Sequence, residues 1–156
     1  RLGISVILVS NQSGVGRGYY GWSDFAAVQA ALAAALAEVD AHFDAVLACA
    51  YHADARAEYR IANHPWRKPN PGMLWEAGKR MQLNLADSWI IGDRATDLAA
   101  GRAASLRNGI LVATGYGQRE REAALALVNQ NFAVETSPDL AAAVEVLILR
   151  MRDLQR

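Results

Sequence analysis

The stretch that most constrains this chain is Trp89-Ile90-Ile91-Gly92-Asp93-Arg94-Ala95-Thr96-Asp97. An apolar run too short for a buried helix breaks at glycine and delivers a carboxylate at once. A second carboxylate follows four residues later, where a helix is expected to begin. This is the pattern of a strand end carrying an acidic site. In parallel α/β sheets the ligand crevice lies beyond the carboxyl ends of the strands, which places Asp93 and Asp97 where chemistry occurs. Carboxylate oxygens suit hard cations such as Mg2+, which takes one or two protein carboxylates together with substrate phosphate and water. The alternative is a plain strand-turn-helix junction in which Asp97 only favours the first turn of its helix.

The same alternation runs along the chain. Residues 4–9 form a β-branched apolar run with little alternation, as in a strand covered on both faces. Residues 44–49, 110–113 and 132–134 read as further strands. Helical spacing predicts helices over about 24–38, 71–81, 96–104 and 119–128, with Ser23 and Asn70 as caps of the first two. The third is expected to end near Asn108-Gly109, and Ser137-Pro138 to open a terminal helix reaching about Met151. Phe25, Val28, Leu32, Leu36 and Val39 are assigned to the core, as are Leu74, Trp75 and Met81. Strand, helix and strand in repetition imply right-handed crossovers. The fold class is therefore α/β, a Rossmann-like parallel sheet with helices on both faces, and 156 residues suit one domain with one core.

Sixteen basic and sixteen acidic side chains cancel, so there is no general field for nucleic acid or an anionic membrane, and any anion must be bound locally. One cysteine, Cys49, excludes an intrachain disulfide framework. With no secretory signal and no apolar run long enough to span a bilayer, the cytoplasm is the expected location. Arg1-Leu2-Gly3 resembles a helix tail and its glycine stop, which leads to the expectation that further sequence precedes it. Oligomeric state is left open.

Two loops carry candidate chemistry. Ser10-Asn11-Gln12-Ser13-Gly14-Val15-Gly16-Arg17-Gly18 follows the first strand. Its hydroxyls, amides and three glycines suit close approach of backbone N–H groups to an anion. Its spacing matches neither a nucleoside-triphosphate nor a dinucleotide loop. Residues 50–70 form a long loop, of the kind that is usually functional or disordered. It closes on Arg67-Lys68-Pro69-Asn70-Pro71, two cations held by prolines at the start of a helix, itself favourable to anions.

A hydroxyl at one strand end, a lysine before a helix and paired aspartates at a later strand end, in that order, resemble the haloacid dehalogenase-like phosphatases. The runs 9–19, 67–73 and 92–94 together look like the D,D-heptose 1,7-bisphosphate phosphatase and histidinol-phosphatase branch. The resemblance implies Mg2+-dependent hydrolysis of a small sugar phosphate through an aspartyl-phosphate intermediate. It implies that Ser10 hydrogen-bonds the phosphoryl group, that Asn11, Gln12 and Ser13 shape the substrate pocket, and that Lys68 offsets phosphoryl charge. Arg67 and Arg94 would recognise substrate, Asp93 would bind Mg2+ directly and Asp97 would support its shell. Such phosphatases commonly have lysine where Arg94 stands; the charge is kept, but a planar fork replaces a point charge.

Two departures follow. The family's nucleophile and acid/base aspartates form an Asp-x-Asp after the first strand, and no Asp-x-Asp occurs in these 156 residues. The expectation is a domain lacking that strand, its nucleophile outside the sequence, and a 156-residue chain inactive alone. In the long loop, members of the branch often bind structural zinc. Here Cys49 is kept, but Tyr51, His64 and Trp66 stand where a histidine and two cysteines would be. Cys49, His52 and His64 lack a fourth ligand, so structural zinc is not expected. Alternatives are a histidinol-phosphate or other phosphomonoester phosphatase, a non-catalytic phosphate-binding or interaction module, and a cysteine phosphatase using Cys49.

Overall fold

Asp44 shows how the first strand pair begins. Its carboxylate accepts from the Val6 amide at 2.7 Å and its own amide donates to the Val6 carbonyl at 2.8 Å. A side chain thus closes the ladder, and the first strand starts at Ile7 rather than at residue 4. The structure is a computed structural model that describes residues 3–154; the helix tail expected at Arg1-Leu2 lies outside them. It divides between Arg67 and Lys68 into two units.

In the first unit β1 (Ile7–Asn11) and β2 (Ala45–Cys49) pair in parallel, from Ile7 opposite Ala45 to Asn11 opposite Cys49. They are connected through α1 (Ser13–Arg17) and α2 (Trp22–Ala37). Most of the loop expected over 10–18 is therefore a strand end and a single helical turn. Two of its glycines serve packing: a Cβ on Gly14 would meet the Tyr20 ring, and one on Gly16 the Ala50 carbonyl oxygen at 2.1 Å. The α2 helix starts two residues before expectation, at an extended Gly21 whose amide donates to Asp24 Oδ2 at 2.7 Å, so Ser23 is not the cap.

No residue of α2 is buried. Phe25 and Leu36 are half-buried, while Val28, Leu32 and Val39 are exposed, which corrects their assignment to the core. Alanine occupies positions all round this helix and favours it without burial, so sparse large side chains at helical spacing overstate a core face. A 3-10 turn, Ala57–Tyr59, lies within the long loop.

In the second unit α3 (Gly72–Met81) leads through a 3-10 turn, Leu85–Asp87, into β3 (Trp89–Gly92). Then follow α4 (Ala95–Ala103), β4 (Asn108–Val112), α5 (Gly117–Leu125), β5 (Ala133–Ser137) and α6 (Leu140–Leu154). The sheet order is β3-β4-β5, all parallel. Period-two alternation separates its faces. Ile90 and Leu111 join Leu98, Ala124 and Phe132 on one side, while Ile91, Ile110 and Val112 meet Ala143, Val146 and Leu147 of α6 on the other. This sheet carries helices on both faces, as the alternation predicted.

Several boundaries differ from expectation. Pro71, not Asn70, precedes the first residue of α3. Met73 is fully buried there, whereas Trp75 is 55% exposed and is not core. Asn108 and Gly109 belong to β4, paired with Trp89 and Ile90 on one side and Ala133 and Val134 on the other. A Gly109 Cβ would lie 2.9 Å from the Phe132 ring, so this glycine is selected by packing and not by a turn. Ser137 ends β5, and Asp139 accepts from the Ala142 amide at the start of α6. No helix among the described residues is long and apolar enough to cross a membrane.

Candidate active site

The β3 strand ends at Gly92, where a Cβ would stand 2.5 Å from Asp97 Oδ2. The absent side chain lets the first turn of α4 fold back on the strand end. Asp97, 8% exposed, uses both oxygens. Oδ1 pairs with Lys68 Nζ at 2.8 Å, and Oδ2 accepts from the Arg94 amide at 3.1 Å, closing the helix start. A buried carboxylate is thus matched by a cation and a backbone donor, as burial of charge requires.

Asp93 sits at the strand end, half-buried. Its Oδ2 accepts from the Tyr116 amide at 2.9 Å. Gly115 makes this possible: its φ is +62°, and a Cβ there would lie 2.2 Å from the same oxygen. The Tyr116 ring lies under Arg94, with the guanidinium carbon 3.6 Å from the ring centroid. Glu120 Oε2 accepts from the Ala95 amide at 3.0 Å, a second acidic partner for the first turn of α4. Lys68, Asp93, Arg94 and Asp97 are therefore tied into one network within the second unit. Tyr116 and Glu120 were missed in the sequence reading, because no motif marks contacts made across 23 and 25 residues.

In the first unit Ser10 Oγ accepts from Gln12 Nε2 at 2.8 Å, and Gln12 Oε1 accepts from the Tyr20 hydroxyl at 2.6 Å. Asn11 is the last residue of β1, and Ser13 opens α1. Arg67 Nη1 donates to the Tyr51 carbonyl at 3.1 Å. The Tyr51 ring stacks on His64, centroids 3.7 Å apart and 7° from parallel. His64 Nδ1 accepts from the Trp66 amide. His52 Nδ1 accepts from the Asp54 amide, and its Nε2 lies 2.8 Å from Arg17 Nη2. Both imidazoles thus already serve protein partners. Among the described residues no group of three or more His, Cys, Asp or Glu is gathered to hold a metal.

Burial pushes the Cys49 thiol up against the opposing pull of the Tyr51 backbone hydrogen bond and Arg67. A buried thiol of that kind is a poor nucleophile, which removes support for cysteine chemistry at this strand end. Burial lowers the pKa of His64. Burial also lowers that of His52, helped by Arg67 and Arg17 and opposed by Asp54. In the unfolded chain these rings take protons near pH 6.5. Neutral rings in the fold therefore contribute stability that is fully present above that pH and is lost as pH falls below it. Thermal melts at successive pH values should show Tm declining below about pH 6.5. The decline should be shallower in a His52→Asn, His64→Asn variant, and an unchanged slope in that variant would refute the assignment.

An Asp at the carboxyl end of a parallel strand lies where α/β folds bind their ligands. The family model for haloacid dehalogenase-like (HAD-like) hydrolases matches residues 65–142. The D-glycero-beta-D-manno-heptose-1,7-bisphosphate 7-phosphatase of Mesorhizobium japonicum is 46% identical over 94% of this chain and 66% of its own length. That of Pasteurella multocida is 32% identical over 94% and 77%. A crystal structure of D,D-heptose 1,7-bisphosphate phosphatase from B. bronchiseptica, complexed with magnesium and phosphate, superposes with TM-score 0.78. It is 30% identical and covers 94% of this chain and 75% of that one. A HAD-like phosphatase structure from Mesorhizobium loti gives TM-score 0.81 at 43% identity, covering 95% and 66%. The chain belongs to the haloacid dehalogenase-like D,D-heptose 1,7-bisphosphate phosphatase family. It spans about two thirds of the length of the Mesorhizobium relative.

Proposed function

We propose that the protein hydrolyses a small sugar phosphate of the heptose 1,7-bisphosphate kind with Mg2+. The observation that carries this reading is the Lys68–Asp97 pair at 2.8 Å beside a strand-end Asp93 whose Oδ1 meets no donor among the described residues. Phosphoryl transfer depends mainly on positioning and on neutralising charge over the equatorial oxygens. Asp97 fixes the ammonium of Lys68, which is then preorganised for phosphoryl charge rather than swinging in solvent. Ser10 would hydrogen-bond the phosphoryl group, Asn11, Gln12 and Ser13 would shape the pocket, and Arg67 and Arg94 would recognise the rest of the substrate.

The residues present fit Mg2+. The ion needs few protein oxygens when substrate phosphate and water supply the others, and Asp93 Oδ1 is a half-buried carboxylate oxygen with its partner oxygen already anchored by Tyr116. Bound there, the ion would supply charge stabilisation to phosphate oxygens. Asp97, its oxygens taken by Lys68 and Arg94, would support that shell from behind.

An aspartyl-phosphate route further requires a carboxylate nucleophile and an acid/base partner, and the 156 residues hold no Asp-x-Asp. The expected result is phosphate release from heptose 1,7-bisphosphate, dependent on Mg2+, by protein that includes an Asp-x-Asp segment, and none from these 156 residues alone. Efficient turnover by the 156 residues would overturn the nucleophile assignment. No turnover by protein carrying such a segment would overturn the phosphatase reading.

A further inference from the structure

Arg94 is exposed at the mouth of the β3–α4 turn, where a free guanidinium would sample many rotamers. It does not sit free. Its guanidinium carbon lies 3.6 Å from the centroid of the Tyr116 ring, the separation of two flat groups in van der Waals contact. A cation held over an aromatic face spends none of its N–H groups on a hydrogen-bond acceptor there. No hydrogen bond or ion pair from those N–H groups is made among the described residues. The same residue anchors its neighbour, because the Tyr116 amide donates to Asp93 Oδ2 at 2.9 Å. One residue thus ties together the carboxylate assigned to the metal and the cation assigned to the substrate, the first through its backbone and the second through its ring.

On the reading of Arg94 given under Proposed function, we propose that Tyr116 is a positioning residue. It fixes the Arg94 guanidinium so that its N–H edge meets a second, non-reacting anionic group of a sugar bisphosphate. A planar fork held at one angle suits bidentate recognition of a phosphate. A ligand with only one phosphate, already occupied at the reacting centre, gains nothing from it. Because the Asp93 contact is made by the backbone, ring substitutions at Tyr116 separate the two roles.

The test is calorimetric titration of D-glycero-beta-D-manno-heptose 1,7-bisphosphate into the protein with EDTA present, so that turnover does not intervene, with inorganic phosphate as the single-anion probe. Tyr116→Leu should weaken bisphosphate binding about fivefold and Tyr116→Phe less than about twofold. Neither should alter inorganic phosphate binding. Arg94→Ala should weaken the bisphosphate at least as much as Tyr116→Leu, and the double variant no further, since the ring acts only through the cation. Loss of affinity in Arg94→Ala with none in Tyr116→Leu would overturn the role of Tyr116 and leave Arg94 in place. Additive losses, or equal losses for inorganic phosphate, would overturn it as well. An Arg94→Ala variant that binds like wild type would remove both assignments. The expected binding pattern in protein that carries an Asp-x-Asp segment yet releases no phosphate with Mg2+ would keep Tyr116 and overturn the phosphatase reading.

Discussion

Lys68→Met is expected to destabilise the protein by about 3 kcal/mol and to lower Tm by about 10 °C. The substitution leaves the aliphatic volume in place and removes the cation from a carboxylate whose side chain is only 11% exposed. Asp97 then keeps a single donor, the Arg94 amide, for a charge that water reaches poorly. The cost is chiefly that of the stranded anion, so adding Asp97→Asn should recover part of it: the amide oxygen still accepts from Arg94, and no charge remains to be desolvated. Denaturant unfolding of the single and double variants checks this. A double variant less stable than Lys68→Met would show that Asp97 owes its stability to something other than its charge partner. Carried into protein that includes an Asp-x-Asp segment, both sets of substitutions should abolish phosphatase activity, because Lys68 is the cation proposed to offset phosphoryl charge.

Gly117→Ala should be at least as damaging, about 3 kcal/mol or more. Gly117 is buried at the first position of α5, and an added Cβ would stand 1.7 Å from the Val112 carbonyl oxygen at the end of β4. The obstacle is backbone on both sides. Neither can yield without opening the β4–α5 turn, and that turn carries Gly115 and Tyr116, which hold Asp93. The expected outcome is a large loss of stability, read from a shift in the denaturation midpoint with little change in slope. A midpoint within experimental error of wild type would mean that the turn is not as tightly packed as described.

The acidic strand end was legible because its signal is local. An apolar run, a glycine and a carboxylate are adjacent in sequence, and Asp97 follows at the one spacing that reaches back over a helix's first turn. The parallel alternation was legible for the same reason. What could not be read is what the contacts across sequence decide. Nothing in Arg67-Lys68-Pro69 announces that Lys68 pairs with a residue 29 positions later, and nothing in Ala113-Thr114-Gly115-Tyr116 announces that it clamps Asp93.

The misreadings have related causes. After β1, Gly14 and Gly16 lie against Tyr20 and Ala50, a packing demand that a glycine-rich run does not announce. Val28, Leu32 and Val39 recur at helical spacing in α2, yet alanine propensity makes the helix without requiring that they be buried. Spacing reports which residues share a face; it does not report whether anything covers that face.

The role we propose for Asp93 and Lys68 is metal-assisted phosphoryl transfer from a heptose bisphosphate. It is tested most directly by following phosphate release from heptose 1,7-bisphosphate against Mg2+ concentration, with the Asp-x-Asp segment present, in wild type and Asp93→Asn. Wild type should show saturable Mg2+ activation, and the variant a loss of about 100-fold or more. Equal activity with and without Mg2+, or an Asp93→Asn protein as active as wild type, would contradict it.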